Sequence, residues 1–356
     1  MLNKYLSRLF IASLLTIFVV VALVSCDSGD EEVSPAAPAP AAPAAPAAPA
    51  PAAPLAPAAP AAPAPAATAA PPVEVKPTLE RLKVAATTSI VADWVQQVGG
   101  ERLIVESVVP HGADAHAYQV TPKGVRMIAD SDFIFGVGVE YEERWLTKLL
   151  ENYPDDRVVF LGDLVDPILF DDEHDEHEGH NHGQFDPHVW FDPVRVASIA
   201  SIIGAELKSI DPEGSQYYEN RVKAYVEELD ALHSRILAHI DEIDIQDRVI
   251  MTSHEALGYL EARYGVEVLP AVLPGLDGDI SATPKDLVHA IEEIEEHSVK
   301  VIFIDETRSA KAADRVAEET GIEVVSGLKV ESLKNGQTYI EFMETNINII
   351  LSHLKK

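Results

Sequence analysis

From Leu82 onward, eight short apolar runs alternate with amphipathic segments, and this alternation admits few architectures. The runs are 82–89, 103–110, 132–138 and 157–162, then 248–253, 266–272, 299–305 and 322–328. Near-continuous apolar strands separated by helices indicate parallel sheets covered on both faces. Segments such as "VADWVQQVG", "KGVRMIADS" and "PKDLVHAIEEIEEHS" carry the helical period between them, and Gly321 ends the last such segment. Two sets of four strands predict an α/β protein of two lobes, each with a four-stranded parallel sheet flanked by helices.

Between the sets, residues 211–243 are polar with apolar residues at helical spacing, and no Gly or Pro follows Gly214. The pattern predicts one long rigid helix joining the lobes, although a break near His233 would leave a similar pattern. The lobes are expected at 81–210 and 244–356.

What precedes Leu82 does not read as fold. Residues 1–25 have Lys4 and Arg8, an apolar stretch and "LVSC", the layout of an export signal. The apolar stretch is shorter than the ~20 residues of a membrane span. Cys26 is the sole cysteine, which excludes disulfides and cysteine metal clusters. Its place directly after "LVS" resembles a lipoprotein signal, so Cys26 is the expected lipidation site, anchoring the mature chain without spanning the membrane. Residues 35–72 are almost entirely Ala and Pro. Frequent Pro blocks helix and favours extended polyproline II, so 26–80 reads as a tether, its Ala/Pro run on the order of 100 Å long at about 3.1 Å per residue.

The net charge of −31 argues against a nucleic-acid partner, which needs clustered Lys and Arg. In open α/β sheets ligands bind beyond the carboxyl ends of the strands, a rule that sorts the thirteen histidines. His111 and His116 follow the second strand run. His174, His177, His180, His182 and His188 follow the fourth, and His254 closes the fifth. His233, His239, His289, His297 and His353 fall on expected helices, where a histidine usually has no ligand role. Three strand ends can therefore each offer an imidazole to one cleft. A fourth ligand from the second lobe has two candidate places, Asp305-Glu306 or Glu331.

At these residues the chain resembles the cluster A-I solute-binding lipoproteins of zinc and manganese ABC importers, from about Leu82 to the C-terminus. "GADAHAYQVTP", "DPHVWFDP" and "TSHEALGYLEARYG" are similar to the family's three histidine loops. "FIDETRSAKAADRVAEETG" and "ESLKNGQTYIEFMETN" are similar to its last two blocks. The resemblance implies His116, His188, His254 and Glu331 as metal ligands, with Asp305 a supporting carboxylate in the cleft. The chain departs from the family at Asp114-Ala115-His116, at Tyr118-Gln119-Val120-Thr121-Pro122 and at Val137-Gly138. It further implies permease and ATPase subunits as partners, a lipid-anchored extracytoplasmic location and a monomer.

Three imidazoles and a carboxylate suit Zn²⁺, with Mn²⁺ or Fe²⁺ as alternatives should Glu331 bind through both oxygens. In this family the resemblance puts a carboxylate at the position of His254 in manganese binders. The expectation is capture of zinc and its delivery to an importer, by modest closure of the lobes on the ion, with a metal-binding adhesin as another possibility. A zinc hydrolase would leave one coordination position open. "HEALG" at 254–258 lacks the second histidine of HExxH, and Glu255 reads as a helix N-terminal residue rather than a base. The acidic run 171–185 offers His174, His177, His180 and His182 as auxiliary weak metal ligands, set apart from the specific site.

Overall fold

A computed structural model of the chain describes residues 81–113, 115, 118–151, 153–170, 184–270, 283–306 and 310–355. The expected export signal, Cys26, the Ala/Pro run, His116 and the histidines at 174, 177, 180 and 182 lie outside the described residues.

The apolar runs form strands because continuous Val, Ile and Phe suit a pleat buried on both faces. The first lobe contains β1 (Leu82–Ala86), β2 (Leu103–Ser107), β3 (Phe133–Gly136) and β4 (Val158–Phe160). All pair in parallel in the order β2-β1-β3-β4, with Val84 opposite Phe133 and Ile134 opposite Val158. The second lobe repeats this with β5 (Val249–Thr252), β6 (Glu267–Pro270), β7 (Val301–Asp305) and β8 (Glu323–Leu328), in the order β6-β5-β7-β8. The inner strands β3, β5 and β7 are buried throughout. In each sheet the chain leaves the first strand on one side and returns on the other. That reversal opens a crevice beyond the carboxyl ends of β1 and β3, and of β5 and β7.

Helices fill the intervals: α1 (Ser89–Gly99), α2 (Pro122–Asp130), α3 (Glu143–Leu150), α4 (Pro193–Ile210), α5 (Ser215–Ile240), α6 (Gly258–Tyr264), α7 (Pro284–Glu296), α8 (Lys311–Thr320) and α9 (Tyr339–Leu354). Their ends follow local chemistry. Thr88 and Asp192 accept from backbone N–H groups at the starts of α1 and α4, and Thr283 with Asp286 forms a capping box on α7. Gly321 closes α8 at φ 75°, a left-handed position that glycine adopts without strain.

The long helix α5 runs 26 residues without a break at His233, about 39 Å at 1.5 Å per residue. It buries Tyr218, Tyr225, Leu229, Leu232, Ile236 and Ile240 against α1, α4 and α9. Helix α9 returns from the last strand to the first lobe, where the Tyr339 N–H donates to Asp93 Oδ2 (2.9 Å). One hydrophobic core consequently runs through both lobes, and a smaller one, including Met251, Ile302 and Val316, sits on the outer side of the second sheet. Among the described residues no helix is long and apolar enough to cross a membrane.

Candidate metal centre

His188 lies in the segment that leads into α4, and its position follows from Asp186 two residues earlier. Asp186 Oδ1 accepts from both the His188 backbone N–H (2.8 Å) and its ring Nδ1 (2.6 Å). The carboxylate holds the proton on Nδ1 and turns Nε2 into the crevice, as the outer partner of a metal-binding histidine does. Trp190 packs edge-on to the imidazole at 5.2 Å between centroids, and its indole donates to Val330 O (3.0 Å). The same aromatic side chain therefore supports His188 and the residue before Glu331.

His254 sits in the turn beyond β5. Thr252 Oγ1 donates to its carbonyl (2.9 Å). Glu331 follows β8, and its Oε2 accepts a hydrogen bond from the Tyr141 hydroxyl. With Oε2 so occupied, Oε1 faces the two imidazoles. His254 Nε2 is 3.0 Å from Glu331 Oε1, His188 Nε2 is 3.3 Å from the same oxygen, and the two Nε2 atoms are 3.3 Å apart. These three donors all lie within 4.8 Å of one another. His188 and Glu331 are buried, while the His254 side chain is 10 % exposed.

The electrostatics favour a cation. Burial by itself would lower the His188 pKa, but Asp186 on one side and Glu331 on the other outweigh it and push it up to about 9. Beside Tyr141, Glu142 is buried and accepts from Thr87 Oγ1 (2.5 Å), Val137 N (2.6 Å) and Gly138 N (3.0 Å). Burial raises its pKa. Val139 and Glu140 hold left-handed φ of 53° and 62°, a costly conformation for a β-branched residue, in the loop that delivers Tyr141.

His188, from the segment before α4, thus converges with His254 beyond β5 and Glu331 beyond β8. His116 and the acidic histidine run fall outside the described residues. The loop preceding His116 reaches the Glu331 segment, where His111 Nδ1 is 3.0 Å from Leu333 O and Gly112 N donates to Ser332 Oγ (2.8 Å). Asp305 ends β7, buried, and its N–H donates to Ser253 Oγ (3.0 Å), next to His254. It is not one of the three converging donors. Glu255 stands in the turn ahead of α6, which begins at Gly258, so the expected helix N-terminal position for Glu255 is corrected. Asp186, Tyr141 and Trp190 had no sequence signal as strong as the histidines, although Asp186 at two residues before His188 is a spacing that suits a carboxylate partner.

Two sheets with ligand-type side chains meeting beyond their carboxyl ends define a two-lobed binding protein for a metal cation. The family ZnuA (zinc-uptake complex component A, periplasmic) matches residues 84–352, and the chain belongs to this family. It is the metal-binding component of an ABC importer and not an enzyme. The manganese ABC transporter substrate-binding lipoprotein PsaA of Streptococcus pneumoniae serotype 4 is 28% identical over 287 residues, covering 78% of this chain and 90% of its own. The iron ABC transporter substrate-binding lipoprotein MtsA of Streptococcus pyogenes serotype M1 is 27% identical over the same shares. The structure of a Cd-bound periplasmic metal binding protein from Candidatus Liberibacter asiaticus is 26% identical with a TM-score of 0.67, covering 77% of this chain and all of that one.

Proposed function

We propose that this protein captures zinc outside the cytoplasm and hands it to the permease and ATPase subunits of an ABC importer. The ion is held by His188, His254, Glu331 and His116, with Asp305 a supporting cleft carboxylate and Cys26 the lipid anchor. The observation that carries the reading is the approach of two imidazole nitrogens and one carboxylate oxygen to a single buried point. Nitrogen donors in this proportion favour borderline cations such as Zn²⁺ over Mn²⁺, which prefers oxygen. A histidine rather than a carboxylate at position 254 supports the same choice.

Manganese or iron is the second reading, favoured by the relatives PsaA, a manganese-transporter lipoprotein, and MtsA, an iron-transporter lipoprotein. An ion at this point cross-links segments from both lobes and therefore stabilises their closed arrangement. The long α5 limits the swing between lobes to a small rocking.

Metal analysis of protein purified without added metal, followed by competition between Zn²⁺ and Mn²⁺, tests the choice. Zinc is expected to displace manganese at equal concentration, and the reverse outcome transfers the assignment. The H254A variant is expected to lose at least ~100-fold in zinc affinity, since a ligand rather than its outer partner is removed. Unchanged affinity in that variant removes His254 from the site.

A further inference from the structure

Helix α6 belongs to the second lobe and begins four residues after His254. Its first two residues meet the segment that carries His188. Tyr259 is fully buried, and its hydroxyl donates to the Asp186 carbonyl (2.8 Å) while accepting from the Ile168 N–H (3.2 Å). Gly258 lies so close to Asp186 that a β-carbon at this position would stand 2.8 Å from Oδ2 and 3.4 Å from Ile168 Cδ1. Asp186 Oδ1, on the other side of the carboxylate, is the atom that orients His188.

The seat is clamped from behind. Asp192 is completely buried and accepts from Arg263 of α6 through Nε (2.9 Å) and Nη2 (2.7 Å), and from Arg195 of α4 through Nη1 (2.6 Å). The Arg195 guanidinium stacks over the Tyr259 ring at 5.0 Å. Two lobes are therefore tied together behind the centre by one bridging carboxylate and one phenol.

We infer that Gly258 and Tyr259 are positioning residues for the metal, fixing Asp186 and through it the His188 ring against His254. The inference rests on the metal-capture reading. Its physical content is that both imidazoles take their position from α6, one by chain connectivity and the other through Asp186. Their separation is then insensitive to rocking of the rest of the lobes. A carboxylate displaced by a few tenths of an ångström would turn the imidazole and spoil donor alignment, because outer partners set ligand orientation.

The test uses the full chain, Zn²⁺ as probe and a competing chelator. Y259F removes the hydroxyl but keeps the ring under Arg195, and G258A crowds Asp186 without removing any hydrogen bond. Both are expected to bind zinc roughly tenfold more weakly and to release it faster. The His188 Nδ1–H proton resonance, which reports its bond to Asp186, is expected to shift in the metal-free variants. A purely structural role would lower the melting temperature and leave that resonance and the affinity in place. Should either variant fail to fold, R263A loosens the same helix from a side chain that is 32 % exposed, with a weakening of roughly threefold expected. Zinc affinity within twofold of the parent together with an unmoved resonance overturns the positioning role alone. A parent protein that binds neither Zn²⁺ nor Mn²⁺ overturns the underlying reading as well.

Discussion

The Nε2 atoms of His188 and His254 face each other across 3.3 Å, and both lie within 3.3 Å of Glu331 Oε1. Two imidazole nitrogens and one carboxylate oxygen at these distances direct their lone pairs to a single point that a cation can occupy.

Proton release follows from this arrangement. The His188 pKa is lowered by burial and raised by Asp186 and Glu331, with a net rise to about 9, so at pH 7 the free site carries a proton that a metal on Nε2 must displace. Calorimetry in buffers of different ionisation enthalpy is expected to show about one proton released per ion at pH 7, declining above pH 9. Metal affinity accordingly rises with pH up to about 9. The sign for stability is opposite: this group's contribution to the metal-free fold is full below its unfolded value near 6.5 and is lost as pH rises through about 9. Binding with no proton uptake by buffer at pH 7 would contradict the assignment.

Tyr141 donates to Glu331 Oε2 from a loop with two left-handed residues. In Y141F the hydrogen bond from the phenol to Glu331 is removed and the carboxylate is held less firmly. Zinc affinity is expected to fall about tenfold with little change in the melting temperature of the metal-free protein. Equal affinities in chelator competition would show that Trp190 and Val330 position Glu331 without help from the hydroxyl.

Gly204 of α4 faces α5, where a β-carbon would lie 2.4 Å from Val222 Cγ2. Overpacking costs roughly 1–3 kcal/mol, while replacing a helical glycine returns about 1 kcal/mol. Val222 is β-branched and cannot turn aside easily, so the clash prevails. Urea unfolding of G204A is expected to show a stability about 1 kcal/mol lower, with zinc affinity unaltered. A more stable variant would mean that the two helices can separate at no cost.

The acidic histidine run provides a separate test. Deleting residues 171–182 is expected to leave one tight zinc site in titration calorimetry and to abolish weaker, additional binding. Loss of the tight site in this deletion would show that the run supplies a ligand to the centre.

Much of the fold was legible because burial leaves a local mark. Val301–Asp305 is apolar up to its last residue and Phe133–Gly136 throughout since both faces of each strand are covered, and Gly321 stops α8 where a left-handed residue is required. The continuity of α5 past His233 was less legible, because a polar stretch with helical spacing reads the same with or without a break. It is its packing against α1, α4 and α9 that keeps the helix whole. "HEALG" has the composition of a helix start, yet the turn beyond β5 occupies Glu255 and delays α6 to Gly258. Tyr141 and Tyr259 carry no local signal, for their partners Glu331 and Asp186 are distant in sequence.

The residue pattern alone dictates two parallel sheets, and it puts eight of the thirteen histidines in segments that follow strands. These follow from period and residue type, which act within a few positions. Which of them meet is a matter of tertiary packing. His188 is 66 residues from His254 and 143 from Glu331, and what brings them within 3.3 Å is the packing of both lobes on α5 and α9. Local propensity carries no information about that juxtaposition, because it is set by the shared core that the two lobes bury together.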